Sequence, residues 1–129
     1  MEYPKLQEVE NIDLSAPNED WSEDGVRYIY KIDPGLEIVK VDMVFKAGRK
    51  FENKQMVSKL TSNMLKLGTE SLSAEAFAEQ FEFYGTELKL REGFNFISYS
   101  VSFVKRHFEQ ITDLLIQCVT QPRFSQDEF

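Results

Sequence analysis

The sequence predicts an α+β domain: an antiparallel or mixed sheet of four or more strands with three helices mainly on one face. Three observations carry this. Alternating apolar and polar residues, the strand period, stand at 26–32, 36–45 and 94–103. Apolar residues three and four apart, the helix period, stand at 54–67, 74–84 and 105–120. The chain of 129 residues is one domain's length, enough for a hydrophobic core without disulfide staples.

Residues 1–24 are polar and acidic and read as an extended arm. Leu6, Val9, Ile12 and Leu14 could dock on the body, and Trp21 is expected to pin the arm's end to the core. The domain proper begins at residue 25. In Val26–Ile32, Val26, Tyr28 and Tyr30 alternate with Arg27 and Ile29, a strand. Asp33-Pro34-Gly35 is a turn. Leu36–Phe45 is the second strand, and its parity slips at Ile38-Val39, which predicts a bulge. Ala47-Gly48-Arg49 ends it.

The first helix runs from about Lys54 to Leu67, with Met56, Leu60, Met64 and Leu67 on one stripe and Val57 and Leu65 widening it. Gly68 suits the position after a helix end. Ser73 caps the second helix, and Glu75 in its first turn suits the dipole. Ala74, Phe77, Ala78, Phe81 and Tyr84 form its apolar face, and Gly85 stops it. Thr86–Arg91 and Phe94–Phe103 read as a hairpin around Glu92-Gly93. Asn95, Ile97, Tyr99, Val101 and Phe103 share one face; Phe94, Phe96, Ser98, Ser100 and Ser102 share the other. The third helix, about Lys105–Thr120, buries Phe108, Ile111, Leu114, Leu115 and Cys118, and Pro122 follows its end. The stripes Met56/Leu60/Met64, Phe77/Phe81 and Phe108/Ile111/Leu115 are expected to meet the sheet. Ser125-Gln126-Asp127-Glu128 is a capping box that announces another helix, so the chain is expected to be the front part of a longer protein, truncated within its domain. An uncovered edge strand or apolar face then predicts self-association.

Charge excludes some functions. Fifteen Lys+Arg against twenty-two Asp+Glu give a net charge of −7, which argues against nucleic acid and anionic membrane as partners. The basic run Lys46, Arg49, Lys50 and Lys54 is interrupted by Glu52. No apolar run approaches the roughly 20 residues of a membrane span. No signal peptide is visible at the N-terminus, and the single Cys118 excludes an internal disulfide; both make the cytoplasm the default compartment.

The residues show no catalytic constellation. His107 is the only histidine, too few for a two-histidine zinc site, and it reads as an ordinary helix residue. Cys118 falls on an apolar stripe and reads as a small buried hydrophobe. The six glycines are isolated, so no phosphate loop exists. The carboxylates of the arm read as a solvated face.

A set of short motifs in order says more. A strand ends Phe45-Lys46-Ala47-Gly48-Arg49, with Glu52 after it; a helix ends Asn63-Met64-Leu65-Lys66-Leu67-Gly68-Thr69. Ser73-Ala74-Glu75, a helix, Gly85-Thr86-Glu87-Leu88, an aromatic-rich hairpin, a long helix and Gln121-Pro122-Arg123-Phe124 follow. Over residues 25–129 this order resembles the N-terminal domain of the insulinase/pitrilysin-type zinc peptidases, the group that includes processing-peptidase subunits and their bacterial relatives. In active members the first helix carries His-x-x-Glu-His: two histidines bind zinc and the glutamate activates water. Counting back from Gly68-Thr69, those positions are Lys59, Ser62 and Asn63. The motif is degenerate, and the family's third ligand, a glutamate on a later helix, would fall after Phe129.

The resemblance therefore implies no catalytic residues, no metal ligands and no cofactor in this chain. It implies a non-catalytic peptidase-like protein that binds substrate or supports a homologous subunit with an intact zinc motif, with peptides as the shared substrate. A peptidase using unusual ligands and a scaffold that keeps only the fold are the alternatives.

Overall fold

In the computed structural model, which describes residues 15–126, the chain divides into two units, Met1–Gly35 and Leu36–Phe129. In the first, β1 (Asn18–Trp21) pairs antiparallel with β2 (Arg27–Tyr30). Gly25, at a φ of 79°, closes the connection, and the Ser22 hydroxyl accepts from the Val26 N–H at 3.0 Å. Glu19 and Arg27, diagonal across the pair, form a forked ion pair at 2.6 and 2.8 Å. The acidic arm thus ends in a strand. Within this two-stranded ribbon Trp21 is 60% exposed. Leu6, Val9, Ile12 and Leu14 lie outside the described residues.

In the second unit, β3 (Ile38–Phe45), β4 (Lys89–Glu92) and β5 (Ile97–Val104) form one antiparallel sheet in the order β3–β5–β4. Among the described residues the sheet has three strands, not four or more. Among the described residues the strand read at 26–32 is β2, which pairs with the acidic segment before it. The expected bulge is also absent. The ladder runs unbroken from Ile38↔Val104 to Phe45↔Ile97, and the slip in parity arises because Leu36 precedes the ladder. Val39, Val41, Met43 and Phe45 turn inward, while Ile38, Lys40 and Val44 face out. In β5, Ile97, Tyr99, Val101 and Phe103 are buried and the three serines are not, as alternation predicts. Phe94, Asn95 and Phe96 lie in the loop before β5 and are exposed.

Three helices complete the unit: α1 (Val57–Met64), α2 (Ala74–Phe83) and α3 (Phe108–Thr120). The Ser73 hydroxyl accepts from the Ala76 N–H at 3.2 Å, the expected cap of α2. Phe77 and Phe81 of α2 meet Ile111, Leu114, Leu115 and Cys118 of α3 and the inner face of β5 in one core. Phe108 is 48% exposed, since α3 starts there after a 3₁₀ turn, Lys105–His107, and it touches Phe103 only ring to ring.

The α1 stripe is reversed from expectation. Met56 and Leu60 are exposed, Met64 and Leu67 are half-buried, and the residue turned fully inward is Ser62. Two local features set this rotation. Met56 enters the helix from the left-handed region, φ 73°, and the buried Tyr99 hydroxyl donates to the Ser62 carbonyl at 3.2 Å. A side chain as small as serine lets the helix come that close to β5.

Distant motifs meet at the end of α1. Gly68 has φ 106°, and a Cβ there would stand 2.5 Å from the Leu72 carbonyl, so only glycine fits. Thr69 is fully buried and bridges to Pro122; the Glu70 N–H donates to the Gln121 carbonyl at 2.9 Å. Gly68-Thr69 and Gln121-Pro122 are thus two halves of one junction. The capping box read at Ser125-Gln126-Asp127-Glu128 falls partly outside the described residues.

Candidate functional site

Gly48 positions the site. An added Cβ would come within 2.5 Å of the Phe94 carbonyl, so the chain after β3 lies directly on the loop before β5. The Lys50 N–H donates to that same carbonyl at 2.9 Å. A 3₁₀ turn, Arg49–Phe51, follows and delivers Glu52 to the start of α1. No neighbouring side chain caps α1. Glu52 does so from a distance: its carboxylate accepts the Ser58 N–H at 2.9 Å and also the Ser58 hydroxyl. Those bonds, the hydroxyl's first, hold the Glu52 carboxyl below the usual carboxylate range. This capping role had no visible signal in the sequence, because the six-residue separation fits no standard cap.

On α1 the three motif positions diverge. Lys59 is exposed, and among the described residues its ammonium has no ion-pair partner. Ser62 is buried, and its hydroxyl donates to the Ser58 carbonyl at 2.6 Å. Asn63 is exposed; its amide donates to the Lys59 carbonyl at 2.9 Å and to Glu92 of β4 at 3.3 Å. Ser62 thus spends its donor on the helix's own backbone, and Asn63 divides its amide between that backbone and Glu92. None of the three groups is placed or charged to act as a base. Tyr99, beneath Ser62, has its hydroxyl pushed up to about 12 by burial, so it stays neutral.

The other candidates stand apart from α1's inner face or are inert. The Cys118 thiol is buried, donates to the Leu65 carbonyl at 2.9 Å, and is pushed up to about 11 by burial. His107 sits at the opposite end of α3, roughly 16 Å along the helix from that contact. Its ring lies 4.9 Å from that of Tyr84, and Arg106 donates to its Nε2 at 3.0 Å. Among the described residues no three His, Cys, Asp or Glu side chains converge as a metal site would need.

Two depressions flank this architecture. One of about 440 Å³ lies beside α1, with an apolar wall of Phe45, Phe51, Val57, Leu65, Ile97 and Tyr99; Lys46 at its rim stands 5.8 Å over the Phe51 ring. The other, about 970 Å³ and open, covers the outer sheet face, where Ser98, Ser100 and Ser102 lie between Lys40 and Asp42 on one side and Lys89 and Arg91 on the other. Among the described residues no helix is long and apolar enough to cross a membrane.

This geometry has counterparts. Residues 27–129 match the model of a family described as Insulinase (Peptidase family M16). No curated protein matches the chain in sequence. Among solved structures, the chain is similar to a peptidase M16 inactive domain from Pseudomonas fluorescens: TM-score 0.82, 21% identity, covering 87% of this chain and 28% of that one. It is also similar to a protease from Helicobacter pylori, with TM-score 0.79, 15% identity, and 89% and 28% covered. A third is the periplasmic protease PqqL from Escherichia coli, with TM-score 0.79, 16% identity, and 92% and 14% covered. At these identities the likeness is one of fold, and the chain spans less than a third of each relative's length.

Proposed function

The chain belongs to the insulinase (M16) peptidase family, and from that premise we propose that it performs no hydrolysis itself and serves an active metallopeptidase chain as substrate-binding or structural partner. One observation carries the proposal. At the three positions of the family's catalytic helix stand an ammonium, a buried hydroxyl and an amide, and the last two are hydrogen-bonded into the helix itself. The residues present do not fit zinc: Lys59 brings a cation to a cation site, and Ser62 and Asn63 are weak neutral donors already engaged. Zinc-activated water is therefore no part of this chain's contribution.

What the chain contributes is surface. The apolar depression beside α1 suits side chains of an extended peptide, and the open serine-lined sheet face suits its polar backbone. A homologous chain with His-x-x-Glu-His would supply the chemistry. The cytoplasmic setting belongs to the same proposal, and cell fractionation checks it. The main test is affinity capture of the intact protein from its source cells, with bound chains identified by mass. A co-purifying chain bearing His-x-x-Glu-His is the expected result. Repeated capture without one, at low and moderate salt, leaves a scaffold and overturns the partnership.

A further inference from the structure

The rim of the apolar depression beside α1 is charged against the sign of the chain. Within residues 46–54, Lys46, Arg49, Lys50 and Lys54 stand against Glu52 alone, a net +3 in a chain of net charge −7. All four cations are exposed, and among the described residues none of them forms an ion pair. The one carboxylate in the stretch is engaged at the start of α1, where it accepts from the Ser58 N–H and hydroxyl.

Backbone contacts hold this rim in place. The Arg49 and Lys50 N–H groups donate to the Gly93 and Phe94 carbonyls at 3.3 and 2.9 Å. Gly48 and Phe51, which bracket those two cations in the chain, line the depression, as does Lys46, whose ammonium stands 5.8 Å over the Phe51 ring. Ammonium and guanidinium heads stay in water while their stems lie on apolar surface, so the composition of this rim itself marks it as surface.

We propose that the depression takes acidic peptide segments: an apolar side chain rests against Phe45, Phe51 and Ile97, and carboxylates beside it meet Lys46, Arg49 and Lys50. The inference rests on the substrate-binding reading above and names its substrate class. An apolar wall attracts any apolar side chain; the charged rim supplies the choice of sign, drawing acidic segments in and turning basic ones away. Arginine takes a carboxylate through two parallel N–H groups, and the lysines act as point charges. A nucleic acid fits less well, since a long polyanion would run from this short patch onto a chain with an excess of carboxylates.

The test is binding of short labelled peptides to the intact protein, read by fluorescence anisotropy, with leucine flanked by glutamate, by glutamine or by lysine. The glutamate peptide is expected to bind about tenfold tighter than the glutamine peptide at low salt, an advantage lost toward about 1 M salt, with the lysine peptide weakest. Arg49→Glu and Lys50→Glu are each expected to weaken the glutamate peptide about fivefold and to tighten the lysine peptide. Lys105→Glu, the same change of charge before α3, is expected to leave the order as it is; circular dichroism confirms that each variant folds. Equal binding of the three peptides overturns the acidic preference and leaves the chain a peptide-binding partner. Binding of none overturns both. A loss with Lys105→Glu as large as with Lys50→Glu, or tighter binding of a single-stranded oligonucleotide than of the glutamate peptide, also overturns the proposal. Should a variant fail to fold, the peptide series on the parent still decides.

Discussion

Helices α1 and α3 lie in the same unit, yet they are built on opposite principles. α3 turns Ile111, Leu114, Leu115 and Cys118 inward and is held by apolar burial. α1 turns Ser62 inward, leaves Leu60 41% exposed, and is held by polar ties: Glu52 at its start, Tyr99 on its inner face and Asn63 to β4. A helix that owes its place to packing displays its buried face in the sequence. One placed by hydrogen bonds at close range does not. The small, polar inner side of α1 keeps the helix close to the sheet.

That contrast can be broken by substitution. Leu115→Ala removes a side chain that is 2% exposed and is expected to cost about 3 kcal/mol, read by urea unfolding. Ser62→Leu makes α1 more hydrophobic but forces a large side chain where 1% exposure leaves no room; a loss of about 2 kcal/mol is expected by the same measurement. A gain in stability there would mean that α1 is simply an amphipathic helix with its stripe inward.

Smaller effects sharpen it. Burial raises the Cys118 thiol to about 11 and the Tyr99 hydroxyl to about 12, each above its value in the unfolded chain. Groups raised in this way stabilise the fold while protonated, so stability is present at neutral pH and lost as pH climbs through these values. Thermal unfolding midpoints should fall between pH 9 and 11, and thiol reagents should react with Cys118 only on unfolding. On the acid side, Lys40 first and Ser100 second hold the Asp42 carboxyl low. Its contribution should fade as pH drops through the carboxylate range. Leu60→Ser, on the exposed side of α1, should cost only about 0.5 kcal/mol, which urea unfolding resolves as a near-null shift. A cost equal to that of Leu115→Ala would erase the distinction between the two helices.

The sequence made the packed parts legible and the polar parts not. Alternation in Ile97–Phe103 and the 3.6 period of Ile111–Cys118 follow from burial, and both are found where expected. The order of motifs pointed to the family, because Gly48, Gly68 and Pro122 each mark a close approach that few residues allow. β1 went unseen because Asn18-Glu19-Asp20 has poor strand propensity and is held by the Ser22–Val26 turn and the Glu19–Arg27 pair. At the candidate site, counting back from Gly68-Thr69 leads to the expectation of motif positions at Lys59, Ser62 and Asn63, whereas Glu52 and Glu92, which tie α1 down, are brought to it only by tertiary structure.

We propose that this chain supplies surface rather than chemistry to peptide hydrolysis. The most direct test is hydrolysis of an unfolded peptide by the intact protein, by its captured homologue with an intact zinc motif, and by the two mixed, each with zinc supplied. No turnover by this chain alone, and turnover by the mixture well above that of the homologue alone, are the expected results. Turnover by this chain alone, abolished by a chelator, would contradict it.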